Sequence, residues 1–387
     1  MRIGIDCRTI LNPQAGEKTG IAHYTYYLVK SLLKLNRLDE FVLFFDHRAK
    51  NIVKEFLEPN TTIRFFTYSE YKKYLPFFYS HILTASNIDR EKLDVYHSPA
   101  NIVPLRYSGK FCVTIHDLAI YQRPDLFPSR QGFSIKYIVP RSIKSAQKII
   151  AVSESTKNDV EKYFNIAPEK IKVIHEGVDY VKFNPDIASA ETLSGVRQKY
   201  GIDRDYVLFV GTLEPRKNLI RLLEAYYKLL GNRPEYNKKY QLVLAGGKGW
   251  LYDEIFEEVE NRGLKNSVVF TDYLPAEDLP ALYSNAKVFI YPSIYEGFGL
   301  PVLEAMSCGV PVITSNVSSM PEIAGNAAVL VDPLDIDGIA SSLEKLLDNE
   351  EMRKEYGLAG RRRAENFSWE KCAQETMKLY KEITNLQ

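Results

Sequence analysis

The 387-residue chain holds only four cysteines, and Cys7, Cys112, Cys308 and Cys372 stand far apart. That spacing excludes a disulfide framework and a clustered-thiolate metal site; Cys7 and Cys112, inside the apolar runs RIGIDC and KFCVTIH, read as small core residues. Charge of one sign is lacking too. Fifty Lys and Arg face 49 Asp and Glu, a net of +1, which gives no general electrostatic pull on nucleic acid. No apolar run approaches the length of about 18 residues that a membrane span needs. Met1 leads directly into a strand-like run with no charged and apolar leader before it. The chain is therefore expected to be cytoplasmic and not to span a membrane. A dinucleotide fingerprint, G-x-G-x-x-G after a strand with an acidic residue about 20 positions on, is missing as well. That counts against a nicotinamide-dependent oxidoreductase. A two-lobed sugar-binding protein of the periplasmic type would need a signal peptide and no phosphate site.

Aromatic residues are abundant. Twenty-six Tyr, 19 Phe and 2 Trp make 12% of the chain, which suggests surfaces that meet sugars, lipid or a partner. The length points to two or three domains. Short apolar runs alternate with segments of helical period, the pattern of parallel sheets covered by helices on both faces. Strands are predicted near 2–7, 40–45, 61–66, 93–97, 110–115, 148–152 and 171–174, and a second series near 206–211, 240–245, 267–271, 287–291, 311–314 and 328–331. Between the series the period lapses, which places a domain boundary near 180–200. The domains so predicted are 1–187 and 195–367. After Lys217, the residues Leu219, Leu222, Leu223, Tyr226 and Leu230 form one helical stripe. A last helix follows Ser368, a plausible N-cap.

Open α/β sheets bind ligands beyond the carboxyl ends of their strands, and two segments there carry chemistry. Gly211-Thr212-Leu213-Glu214-Pro215-Arg216-Lys217-Asn218 delivers two adjacent cations to the start of a helix. Cations there oppose the helix dipole; two of them with free N–H groups suit a diphosphate, although a solvated helix start fits the same residues. The second segment runs from Tyr291 through Glu296-Gly297-Phe298-Gly299-Leu300-Pro301 to Glu304. Gly297 and Gly299 let the backbone approach a ligand, Pro301 fits the first helical position, and Glu304 falls in the first helical turn. There its carboxylate can accept from vicinal hydroxyls, while Glu296 in the loop can address a second sugar. His116, at a strand end, reads by itself as a core histidine. Asp203-Arg204-Asp205 and Asp335-Ile336-Asp337 imitate metal motifs, but the first precedes a strand and the second opens a helix, so no metal site is assigned.

Glu296 to Glu304, with the internal G-F-G-L-P, resembles the E-x7-E signature of the retaining family 4 (GT4) glycosyltransferases, and GTLEPRKN resembles their phosphate-contacting turn. The resemblance extends over essentially the whole chain, and the pattern is most similar to mannosyltransferases of polysaccharide and O-antigen assembly. It implies a GT-B fold of two Rossmann-like domains with parallel sheets, the final helix, 368–387, crossing back to the amino-terminal acceptor domain. It implies a hexose moved from a nucleotide sugar, GDP-mannose first, to a glycan or lipid-linked acceptor. Retention would follow a front-face route in which a phosphate oxygen of the leaving group helps deprotonate the acceptor. His116, Arg216, Lys217 and Glu296 are the implied catalytic residues. Gly20, in an early glycine loop, is implied at the donor with Thr212, Arg216, Lys217, Glu296, Gly297, Phe298, Gly299, Leu300 and Glu304. No cofactor and no metal is implied. The chain departs from the family where Thr19-Gly20 and His23 replace a Gly-Gly-x-x-Arg loop, and where Thr212 stands in place of a frequent arginine. The second departure shifts phosphate neutralisation onto Arg216 and Lys217. A UDP-sugar donor and a non-catalytic nucleotide-sugar-binding protein are the alternatives. The aromatic and cationic stretch 68–83 fits a surface against anionic lipid at the inner membrane face, and equally a partly buried helix with ordinary surface lysines.

Overall fold

The computed structural model describes residues 1–10, 20–66, 79–128, 134–186 and 190–385. Two compact units divide the chain, one comprising Met1–Tyr121, Ser129–Gly177 and Ser368–Gln387, the other Gln122–Pro128 and Val178–Phe367. The boundary expected within 180–200 thus falls at Gly177 and Val178.

The first unit is built on β1 (Arg2–Asp6), β2 (Glu40–Asp46), β3 (Thr61–Phe66), β4 (Val95–Ser98), β5 (Phe111–Ile115), β6 (Lys148–Ala151) and β7 (Ile171–Val173). They pair in parallel in the order β3-β2-β1-β4-β5-β6-β7. The central strands are buried along nearly their whole length, as a sheet covered on both faces requires. The helices Gly20–Leu35 and Trp369–Asn385 pack on each other in this unit, through stripes that include Tyr24, Leu28 and Leu32 on one and Ala373, Met377 and Tyr380 on the other. Ser368 caps the second helix by accepting from the Lys371 N–H at 3.1 Å. Trp369 stacks on Tyr27 with ring centroids 5.4 Å apart, and its backbone lies so close to Gly177 that a Cβ there would stand 2.1 Å from the Trp369 nitrogen. Buried Tyr380 reaches into the sheet, its hydroxyl 2.6 Å from His97 Nδ1, while His97 Nε2 meets Thr114 Oγ1 at 2.8 Å.

The second unit carries β8 (Asp205–Val210), β9 (Tyr240–Ala245), β10 (Val268–Phe270), β11 (Val288–Tyr291), β12 (Val312–Ser315) and β13 (Val329–Val331), parallel in the order β10-β9-β8-β11-β12-β13. Its helix Leu219–Asn232 buries Leu219, Leu222, Leu223, Ala225, Tyr226 and Leu229. Leu229 is buried with this stripe, and Leu230, expected in it, is half-buried. The segment 122–128 belongs to this unit through Trp250, whose indole donates to the Leu126 carbonyl at 2.7 Å and whose ring lies against Phe127. All four cysteines are buried and free. Among the described residues, no helix is long and apolar enough to cross a membrane.

Candidate active site

In the second unit the strand order reverses between β8 and β11, neighbours whose outgoing connections run to opposite sides of the sheet. Such a switch point leaves a crevice at the carboxyl edge. The loops leaving these two strands are the two segments that sequence singles out. They are stitched together there. The Ile294 N–H donates to the Arg216 carbonyl at 2.9 Å, and the Asn218 amide donates to the carbonyls of Pro292 at 3.1 Å and Pro333 at 2.6 Å. Asn218 adopts the left-handed conformation, φ 62°, which an asparagine tolerates better than most residues. It ends the single 3₁₀ turn Pro215–Lys217. The cations therefore sit on a turn before the helix rather than on the helix itself, which answers the objection from the helix dipole.

Four charged side chains meet at this crossing. Lys217 Nζ lies 2.6 Å from Glu296 Oε1 and 2.7 Å from the Tyr291 hydroxyl. Arg216 reaches Glu296 Oε2 at 3.1 Å and Glu214 Oε1 at 2.8 Å. All four are buried or nearly so. Glu214 and Glu296 match Arg216 and Lys217 charge for charge. Burial and the neighbouring Arg216 charge lower the Lys217 ammonium from its ordinary range against the pull of both carboxylates. Burial would raise Glu296, but the charges of Arg216 and Lys217 outweigh it and hold its carboxyl low. The cluster keeps its charges because each is paired.

The backbone of Glu296 is pinned on both sides. Its N–H donates to Ser318 Oγ at 2.8 Å, and Ser319 Oγ lies 2.9 Å and 2.8 Å from the carbonyls of Glu296 and Phe298. Gly297, Phe298 and Gly299 are buried in this loop. Gly299 has φ 117°, and a Cβ on it would lie 2.4 Å from the Met320 methyl, so glycine is demanded twice. The helix Leu300–Ser307 follows. Pro301 is its second residue, one place later than expected, and Glu304 its fifth, beyond the first turn. Buried Glu304 Oε2 accepts from the Tyr283 hydroxyl at 2.8 Å, and burial raises its carboxyl to about 7. Thr212 is exposed beside the buried Leu213 and Glu214.

The structure brings Thr212, Arg216, Lys217, Glu296, Gly297, Phe298, Gly299, Leu300 and Glu304 into one unit; His116 and Gly20 belong to the other. His116 follows β5, with Nδ1 3.1 Å from Glu176 Oε1 and Nε2 2.8 Å from the Pro99 carbonyl. The edge of Tyr24 packs against its ring, with centroids 4.8 Å apart. Gly20 is the exposed first residue of its helix. Asp335 caps its helix by accepting from the Gly338 N–H, and Asp203 pairs with Arg204. Sequence reasoning missed Asn218, Tyr283, Ser318 and Ser319. Asn218 could have been found, since an asparagine between a proline turn and an apolar helix is a common left-handed residue; the other three carry no local signal.

The comparisons with known proteins agree with this geometry. Residues 196–363 match the family model described as Glycosyl transferases group 1, and 18–182 match Glycosyltransferase Family 4. The O-antigen chain mannosyltransferase B of Escherichia coli is 38% identical over 290 residues, 74% of each chain. The serotype-specific mannosyltransferase WbdA of Escherichia coli is 32% identical over 278 residues, 71% of this chain and 33% of that protein. The sucrose-phosphate synthase of Thermosynechococcus elongatus, 20% identical, superposes with a TM-score of 0.77 over 99% of both chains. The chain belongs to the family 4 glycosyltransferases. It is a hexosyltransferase of GT-B fold.

Proposed function

We propose that the enzyme moves mannose from GDP-mannose to a hydroxyl of a glycan or lipid-linked oligosaccharide, with retention at the anomeric carbon. The donor assignment is supported by the identity to an O-antigen chain mannosyltransferase over three quarters of the chain. The observation that carries the chemistry is the Arg216, Lys217 and Glu296 cluster at the switch point of the second sheet. When the bond to the sugar breaks, negative charge grows on the departing diphosphate. Two cations already gathered at this crossing answer that charge without a metal ion. Glu296 holds both cations at the ready, and its remaining lone pairs accept from donor-sugar hydroxyls. Because the cluster is neutral before the donor arrives, the diphosphate draws Arg216 and Lys217 away from Glu214 and Glu296 in part. The gain is then largest where phosphate charge is greatest, in the transition state. Glu304 takes the ribose hydroxyls, and His116 keeps the catalytic part that the resemblance to the family implies. A lipid-linked acceptor calls for a membrane-facing surface; the stretch proposed for it, 68–83, lies for residues 68–78 outside the described residues.

The test is release of nucleoside diphosphate from each common nucleotide sugar, with mannosylated and lipid-linked oligosaccharides as acceptors, and the anomeric configuration of the product by NMR. GDP-mannose turned over with retention is the expected result. Turnover confined to a UDP-sugar would replace the donor, and inversion would remove the proposed route.

A further inference from the structure

The motifs account for Glu304 and leave Tyr283 without a part, although its phenol makes the single hydrogen bond recorded for the Glu304 carboxylate among the described residues. We propose that Tyr283 is a positioning residue that holds Glu304 as an acceptor for the ribose hydroxyls, so that donor binding draws a proton off this carboxyl. The inference rests on the assignment of Glu304 to the ribose.

Tyr283 stands on the helix Leu279–Ser284, fully buried, and packs its ring on Phe183 and Phe289. These contacts fix where the hydroxyl points, and it points at Oε2 of a residue on a different helix. Glu304 is 8% exposed, and a carboxylate so enclosed needs donors that water would otherwise give. Tyr283 supplies one. A ribose offers two O–H groups side by side, both donors toward an ionised carboxylate, whereas the neutral acid must spend one oxygen on its own proton. Ribose and proton therefore compete for the same lone pairs.

The groups facing Glu304 come from three places. Tyr283 approaches from its helix. Lys182 approaches from the segment after Val178, which is held by the Ser307 hydroxyl donating to the Phe183 carbonyl. Cys308 lies at the end of the Glu304 helix, its thiol pushed up to about 12 chiefly by burial. Burial dominates at Glu304, while the Tyr283 hydrogen bond and the Lys182 charge pull the other way; the outcome is a carboxyl raised to about 7. Removing the phenol hydroxyl leaves burial less opposed, so the proton is held to higher pH.

The experiment is calorimetric binding of an intact nucleotide sugar to the full chain between about pH 5.5 and about pH 8.5, a range in which its diphosphate diester does not titrate. Wild-type affinity is expected to rise up to about tenfold per pH unit below about 7 and then level. Tyr283→Phe should move the levelling point up by roughly one unit, weakening binding roughly tenfold near pH 6.5 and less than about twofold near pH 8.5. A purely structural role would weaken it equally at both. A second measurement, the binding enthalpy near pH 7 in buffers of different ionisation enthalpy, should show a fraction of a proton released by wild type and none by Glu304→Gln. Equal loss at all pH, or an unchanged profile in Tyr283→Phe, overturns the role of Tyr283. A wild-type affinity and profile in Glu304→Gln overturns the ribose assignment beneath it.

Discussion

Lys217 Nζ is held 2.6 Å from Glu296 Oε1, so the first carboxylate of the E-x7-E segment is bonded to a cation of the other loop. Replacing both Arg216 and Lys217 by Ala removes the answer to diphosphate charge, and turnover should fall by about 10² to 10⁴. The variant also leaves Glu214 and Glu296 buried without partners, a cost of about 3 to 5 kcal/mol. Rates should therefore be read well below the melting transition followed by circular dichroism. A double variant keeping more than half the wild-type turnover would remove these residues from the site.

Glu304→Gln should bind donor more weakly and fold more stably. A carboxyl raised on folding favours the folded state while protonated. That contribution is complete below the ordinary value of 4.5 and is lost as pH rises through about 7. Above neutrality the wild type has therefore lost on the order of 3 kcal/mol that a neutral amide keeps. Denaturant unfolding at about pH 8 should place Glu304→Gln above wild type, with the two converging near pH 4. Affinity for nucleotide should drop roughly tenfold or more. A variant less stable than wild type at pH 8 would contradict the raised carboxyl.

Glu296→Gln should behave differently. Its carboxylate holds both cations and, on the proposed reading, accepts from the sugar, so transfer should suffer while nucleoside diphosphate affinity is spared or rises, since the cations are freed for phosphate. Calorimetry with the diphosphate alone separates the cases: an equal affinity loss in Glu296→Gln and Glu304→Gln would end the division of roles.

Tyr380→Phe should destabilise the first unit by about 1 to 3 kcal/mol, because it strips His97 Nδ1 of its partner inside a fully buried network. Burial lowers His97 to about 3, so at neutral pH the ring is uncharged and that hydroxyl is one of its two partners. Truncation after Phe367 should go further, raising hydrogen exchange in β4 and β5. Unchanged exchange there would show that the last helix adds nothing to that sheet.

The thirteen strands among the described residues were legible because buried parallel sheets favour short apolar runs between helical segments, and β2 or β5 can hardly be anything else. The two site loops were legible for a related reason: proline, glycine and paired charge after such runs have few structural uses. What stayed hidden depends on contacts across the chain. Glu214 looks like any turn carboxylate until Arg216 folds back onto it. Tyr283 precedes Glu304 by 21 positions and meets it only once two helices pack. The places of Pro301 and Glu304 in their helix differ from expectation by a single residue, the scale on which helix starts escape periodicity.

The last helix also dictates an order of events at the ribosome. Gly177 and Ser368 are joined in one unit across the whole second stretch, Val178–Phe367. At about 5 to 20 residues per second that stretch takes on the order of 10 to 40 seconds to make. Through that interval the first sheet has been synthesised but lacks the helix that covers Tyr24 and satisfies His97. The second unit, later in sequence, can close its core first, and the nascent first unit presents an apolar face for a chaperone to shield until translation reaches Trp369.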